Sequence, residues 1–220
     1  RECMIAIMTA DSGRGPKHVA PFGGREPRLG TNPICIAVPS ALGEPLVHDM
    51  ATSAVAVGKI KLAQAKGVEI PEGWIVDENG NATRDPNAYG KGAVLLPLGG
   101  PEGHKGYGLS AMVEILSALL PGLGFGVEPT GRHNDGCFLA MFNVSAFRDL
   151  DTFKQEVADF AHYLKDTPPQ KGFDEVFYPG EIEQRNEAER RANGVPVDDK
   201  TWSQLHELGE KHGFGDEFAA

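Results

Sequence analysis

The chain has 220 residues, 40% of them hydrophobic, and a formal net charge of −10. That is enough apolar material for one large domain or two small ones. The acid excess, with lysines scattered and no basic stripe, argues against a nucleic-acid partner, and no apolar run reaches the ~18–20 residues a membrane span needs.

The opening Arg1-Glu2-Cys3 leads straight into an apolar strand-like run, Met4–Thr9. No initiator methionine, cap or turn comes first, so an N-terminal truncation is expected. The segment Ala10–Leu29 is long and rich in Gly and Pro, and loops of that length tend to be functional. Strands follow at Ile34–Val38 and Leu46–Asp49, a helix at Ser53–Ala65, and a strand at Gly73–Val76 that ends in the Asn-Gly turn of Asp77–Asn81. Val94–Leu96 and Cys137–Phe142 are strands; Gly108–Leu120, Leu150–Lys165, Ile182–Asn193 and Lys200–His212 are helices. Interspersed strands and helices predict an α/β class, a mixed sheet with flanking helices. From Ile182 onward the composition is that of a solvated helical face with i,i+4 charge pairs.

Cys3, Cys35 and Cys137 are widely spaced and form no CxxC and no His–Cys metal pattern. Cys3 and Cys35 lie in apolar runs and read as small core residues. This usage, with no visible signal peptide, suits a reduced, cytoplasmic protein without a metal site.

The run Gly99-Gly100-Pro101-Glu102-Gly103-His104-Lys105-Gly106-Tyr107-Gly108 carries the most chemistry. Large apolar residues then fall at 109, 112, 113, 116, 119 and 120, widened by Ile115, and Pro121-Gly122 stops the helix. A glycine-rich turn entering a helix offers unpaired N–H groups and the positive end of the helix dipole, and Lys105 adds a charge. This is a cradle for a phosphate, a pyrophosphate or a carboxylate, or else a solvated turn. It is neither a P-loop nor a Rossmann fingerprint, because no Ser or Thr follows the Gly-Lys pattern and no G-x-G-x-x-G follows a strand.

Asp49 closes a strand that leads into a helix. A carboxylate there can accept two ribose hydroxyls, since strand ends face the ligand crevice in α/β sheets; alternatively it belongs to the helix cap together with Thr52 or Ser53. Leu29-Gly30-Thr31-Asn32-Pro33 reads locally as an ordinary turn, and Tyr178-Pro179-Gly180-Glu181 as the start of a helix with a favourable acidic first turn. Of seven histidines, His104 lies in the cradle, and His18, His48 and His133 are possible crevice residues.

Taken together, the segments VAPFGGREPRLGTNPICIAVP, DMATSAVAVGK, IPEGWIVDENGNATRDP, GHKGYGLSAMVEIL and YPGE, in that order, resemble the malate/L-lactate/ureidoglycolate dehydrogenase family, and ANGVPVDDKTW resembles its hydroxycarboxylate dehydrogenase branch. These are NAD(P)-dependent 2-hydroxyacid oxidoreductases unrelated to the Rossmann-fold lactate and malate dehydrogenases. The resemblance implies a non-Rossmann α/β fold, a homodimer, a 2-hydroxy or 2-oxo acid substrate, and NAD as cofactor with NADP open. It maps cofactor contacts onto Ser12, His48, Asp49, Met50, Ala51, Thr52, His104, Lys105, Gly106, Pro179, Gly180 and Glu181. It also implies residues 1–145 as a cofactor-binding α/β domain and 146–220 as a helical part packing with an N-terminal segment. The family's acid/base histidine and carboxylate clamp belong to that segment, around a Ser-His-Gly motif, so no catalytic residue is assigned within this chain. The competing reading is a non-catalytic nucleotide-binding or dimerising fragment.

Overall fold

The computed structural model describes residues 3–11, 13–131 and 134–215. By backbone contacts the chain divides into two compact units, Arg1–Pro179 and Gly180–Ala220. The first unit holds two antiparallel sheets. β1 (Met4–Asp11), β2 (Ile34–Val38), β3 (Leu46–Met50) and β7 (Gly136–Asn143) form one, in the order β3-β2-β1-β7; β4 (Ile75–Val76), β5 (Ala82–Thr83) and β6 (Val94–Leu95) form the other, in the order β5-β4-β6. Every ladder among the described residues is antiparallel, and the parallel component expected of a mixed sheet is limited to the isolated bridges Val19–Leu95 and Tyr89–Ala93. Flanking helices are α1 (Val57–Lys66), α2 (His104–Glu114) and α3 (Leu150–Lys165).

The period of two along β1 sorts its side chains between two faces. Thr9 and Asp11 are buried beneath α2 and its continuation, where the Thr9 and Ser117 hydroxyls meet at 2.7 Å. The opposite face carries the register rows Leu139–Met8–Cys35–Asp49 and Met141–Ala6–Ala37–Val47, and its Met8, Leu139 and Met141 are exposed. The cysteine expectation fails here: Cys3 is exposed, ahead of β1 with a left-handed φ of 61°, and Cys35 is half-buried on the open face.

The second sheet anchors the main apolar core. Val19, Val55, Ile60, Ala63, Ile70, Ile75, Ala93 and Leu95 pack into one cluster, with Ile60 and Ala63 supplied by α1. α1 starts at Val57, later than the sequence pattern suggests, because the preceding residues are tied to β-structure. Ser53 bridges to Pro97, Ala54 N–H donates to the Leu96 carbonyl, and no side chain caps the helix.

α2 corrects a second expectation. Its α-helical hydrogen bonds give way to a π-helical turn at Ile115–Leu119. The stripe it buries is Gly106, Ser110, Val113, Glu114 and Ser117, whereas Met112, Ile115, Leu119 and Leu120 of the apolar pattern are exposed. Close approach selects the small residues. A Cβ on Gly106 would collide with the backbone of Leu98, and one on Gly136 would collide with the backbone of Ser117.

In the second unit, α4 (Glu181–Asn193) carries acidic residues in its first turn and Arg190 and Arg191 in its last, as the dipole favours. α5 (Asp199–His212) is capped by the Asp198 carboxylate, which accepts from Thr201 N–H. No helix among the described residues is long and apolar enough to cross a membrane.

Candidate functional site

The structure brings the strand-end segment and the glycine-rich segment together. At the end of β3, Thr52 is fully buried; its hydroxyl donates to the carbonyls of Asn32 (2.9 Å) and Thr31 (3.1 Å), and its N–H to Thr31 as well. Thr52 is therefore a tie between loops and not a helix cap, which removes the capping account of this segment. Its carbonyl accepts the N–H of Leu98 at 2.9 Å, and the Leu98 backbone is the surface against which Gly106 packs. Met50 and Ala51 lie half-buried on the same path.

His104, Lys105 and Gly106 form the first turn of α2 itself, four residues earlier than the helix start expected from the pattern, and follow a short 3-10 turn at Gly100–Glu102. No side chain caps this end, and an uncapped helix start can offer its first N–H groups to an acceptor. Lys105 is 71% exposed and pairs with Glu102 at 3.0 Å. His104 lies edge-on to Phe22 and 3.9 Å from the same glutamate. Glu102 partly offsets the positive charge, and an incoming anion competes with it.

His48 and Asp49 are both exposed but alternate across β3. Asp49 shares the open face with Cys35; burial, and then the neighbouring Asp49 carboxylate, push the Cys35 thiol up. His48 is on the opposite face, opposite Ile36. Pro179 is beside them, its carbonyl accepting the N–H of Val47 at 3.2 Å. Gly180, with φ 92°, and the buried Glu181, paired with Arg185 at 2.7 Å, open α4 of the second unit. Ser12 and His133 lie outside the described residues. His18 serves packing: its Nδ1 meets the Tyr89 hydroxyl at 2.9 Å, and burial, followed by Lys61 and Lys17, lowers its pKa.

One cluster was not anticipated from the sequence. Asp11, Lys17, Asn32 and Glu114 converge between β1 and α2, all buried. The sequence held one partial signal: Glu114 shares a helical face with Ser110 and Ser117, at i,i+4 and i,i+3 spacing. In the structure Asn32 adopts a left-handed φ of 41°, and the turn at 29–33 is a structural hub.

A family model described as malate/L-lactate dehydrogenase matches residues 1–206. The chain belongs to this family. Among its relatives, the chain is 38% identical over 220 aligned residues to a malate dehydrogenase of Pyrococcus abyssi, covering 96% of this chain and 60% of that protein. It is 35% identical to a ureidoglycolate dehydrogenase (NAD(+)) of Escherichia coli O157:H7, covering 85% of this chain and 54% of that one. The crystal structure of malate dehydrogenase from Entamoeba histolytica superposes with a TM-score of 0.88 at 33% identity, over 96% of this chain and 62% of that one. The α/β architecture is therefore that of the malate/L-lactate dehydrogenase family. The chain spans 54% to 62% of the length of these relatives.

Proposed function

We propose that this chain carries the cofactor-binding portion of an oxidoreductase that passes a hydride between NAD and a 2-hydroxy/2-oxo acid of the malate or lactate type. The observation that carries the reading is the junction at Leu98, where the strand end Met50–Thr52 meets the uncapped first turn of α2 within a malate/L-lactate dehydrogenase family fold. The residues suit a dinucleotide. Open N–H groups and Lys105 face pyrophosphate oxygens, and the exposed Asp49 carboxylate accepts ribose hydroxyls. The same carboxylate repels a 2′-phosphate, which favours NAD over NADP. When bound, the nicotinamide supplies the hydride chemistry; this chain's part is to hold and orient it. Proton supply to the carbonyl oxygen suits an imidazole, and we assign that role to no residue of this chain. The reading extends to a cytoplasmic homodimer that binds neither nucleic acid nor membrane.

Fluorescence titration of the 220-residue chain with NADH tests the assignment. Asp49→Ala and Lys105→Ala should each weaken binding by about 1–2 kcal/mol, or roughly 5- to 30-fold. The lysine belongs at the low end because it is exposed and already paired with Glu102. Unchanged affinity with both side chains removed would falsify the site.

Two exposed apolar surfaces bear on assembly: Met8, Leu139 and Met141 on the open sheet face, and Met112, Ile115 and Leu119 along α2 and its π turn. Surfaces of this kind mark interaction sites. The chain is therefore expected to self-associate and to bind a hydrophobic dye; sedimentation showing a compact monomer without dye binding would contradict this.

A further inference from the structure

The end of β1 and the middle of α2 enclose charges that none of the cofactor contacts above requires. Lys17 Nζ lies 3.1 Å from Glu114 Oε1 and 3.6 Å from Asp11 Oδ1, and donates to the Gly13 carbonyl at 2.6 Å. Asn32 Nδ2 donates to Glu114 Oε2 at 2.9 Å and to the Ser110 carbonyl at 3.0 Å. Both Glu114 oxygens thus have donors, whereas neither buried Asp11 oxygen has a partner at full hydrogen-bond geometry among the described residues; Lys17 at 3.6 Å and the Gly13 N–H are the donors nearby. One ammonium serves two carboxylates, with side chains 2%, 0% and 8% exposed for Lys17, Asp11 and Glu114. A buried carboxylate short of donors takes up a proton rather than bear the desolvation cost, and a proton on Asp11 gives it a hydrogen bond to Glu114.

We propose that Asp11 and Glu114 form a carboxyl–carboxylate pair that takes up one proton as the pH falls, and that this proton tightens the frame holding the cofactor segments. The frame is contiguous. Glu114 holds Asn32, the Asn32 carbonyl holds the Thr52 hydroxyl, the Thr52 carbonyl holds Leu98 N–H, and Leu98 seats Gly106. The charged groups facing Asp11 are Glu114 from α2 and Lys17 from the loop after β1. Arg14 of that loop is engaged by Glu128, and the Thr9 and Ser117 hydroxyls pair with each other. Burial, reinforced by Glu114 and opposed by Lys17 and the Gly13 N–H, pushes the Asp11 carboxyl up to about 6. Asp11 and Glu114 are positioning residues: they act on the cofactor through Asn32 and Thr52.

The link to cofactor rests on the function proposed above; the proton itself does not. Infrared difference spectra of the 220-residue chain should show a protonated carboxyl band that titrates near pH 6 and vanishes in Asp11→Asn, whose amide gives Glu114 a permanent donor. Glu114→Gln, which leaves one carboxylate for Lys17, is the second variant and should move the titration of the band to lower pH. NADH affinity should fall at least about fivefold between about pH 5.5 and about pH 8 in the parent chain and stay flat in Asp11→Asn. A band that survives Asp11→Asn or titrates unmoved in Glu114→Gln, or no carboxyl titrating above about pH 5, overturns the shared proton. An NADH profile that Asp11→Asn leaves unchanged overturns its coupling to the site. If NADH fails to bind at any pH while the band behaves as described, the cofactor assignment is what fails, and the proton-sharing pair stands.

Discussion

Gly106→Ala should abolish NADH binding and destabilise the fold by about 3 kcal/mol or more, the upper range of overpacking costs. A Cβ at this position would lie far inside the van der Waals radius of the Leu98 carbonyl oxygen, with the Leu98 carbonyl carbon and nitrogen at 2.8 and 2.9 Å. Backbone cannot rotate away as a side chain can, so the first turn of α2 must lift from Leu98. The sign of the effect is diagnostic. An alanine replacing a helical glycine ordinarily stabilises by about 1 kcal/mol, and Gly108, two residues on in the same helix, has nothing within 4 Å of an added Cβ. Gly108→Ala should therefore gain stability while Gly106→Ala loses it. Denaturant unfolding of the two variants beside the parent chain measures the difference. Equal behaviour would mean that α2 does not seat on Leu98, and the junction on which the functional reading depends would go with it.

The strands and helices were legible because their periods were clear. Ile34–Val38 and Leu150–Lys165 match their predicted bounds, and β1 and β3 extend theirs by one or two residues. Short pieces escaped: β5 is only Ala82–Thr83 and has no period to read. The burial of α2 was misread for a different reason. Hydrophobic periodicity assumes that the apolar stripe is the one packed inward, but close backbone approach at Leu98 and at Gly136 requires small residues, and the packed stripe is Gly106, Ser110 and Ser117. The candidate site was legible where local chemistry marks it, at the glycine-rich turn and at the strand end by Asp49. The buried cluster was not, because Asp11, Lys17, Asn32 and Glu114 are up to 103 positions apart in the chain and only the fold brings them together.

Lys17→Ala should cost about 3–5 kcal/mol, the usual price of removing one partner from a buried ion pair. Glu114 would keep the Asn32 amide, but no other cation among the described residues lies within salt-bridge distance of either carboxylate. The loss should depend on pH, in a direction set by Asp11. Its folded value, about 6, lies above the ordinary 3.8, so the folded state binds the proton more tightly than the unfolded one. Its contribution to stability is therefore greatest below about 3.8 and declines as the pH rises through the window from 3.8 to about 6. Lys17 opposes that rise in Asp11; without it the carboxyl holds its proton to higher pH and the window widens upward. The variant should accordingly be weakest relative to the parent at neutral pH and recover part of the difference near pH 5, where the proton replaces the lost charge. Urea unfolding at both pH values reads this directly. A loss under about 1 kcal/mol, the range of an exposed pair, or a deficit that deepens on acidification, would show that solvent and not Lys17 balances the two carboxylates.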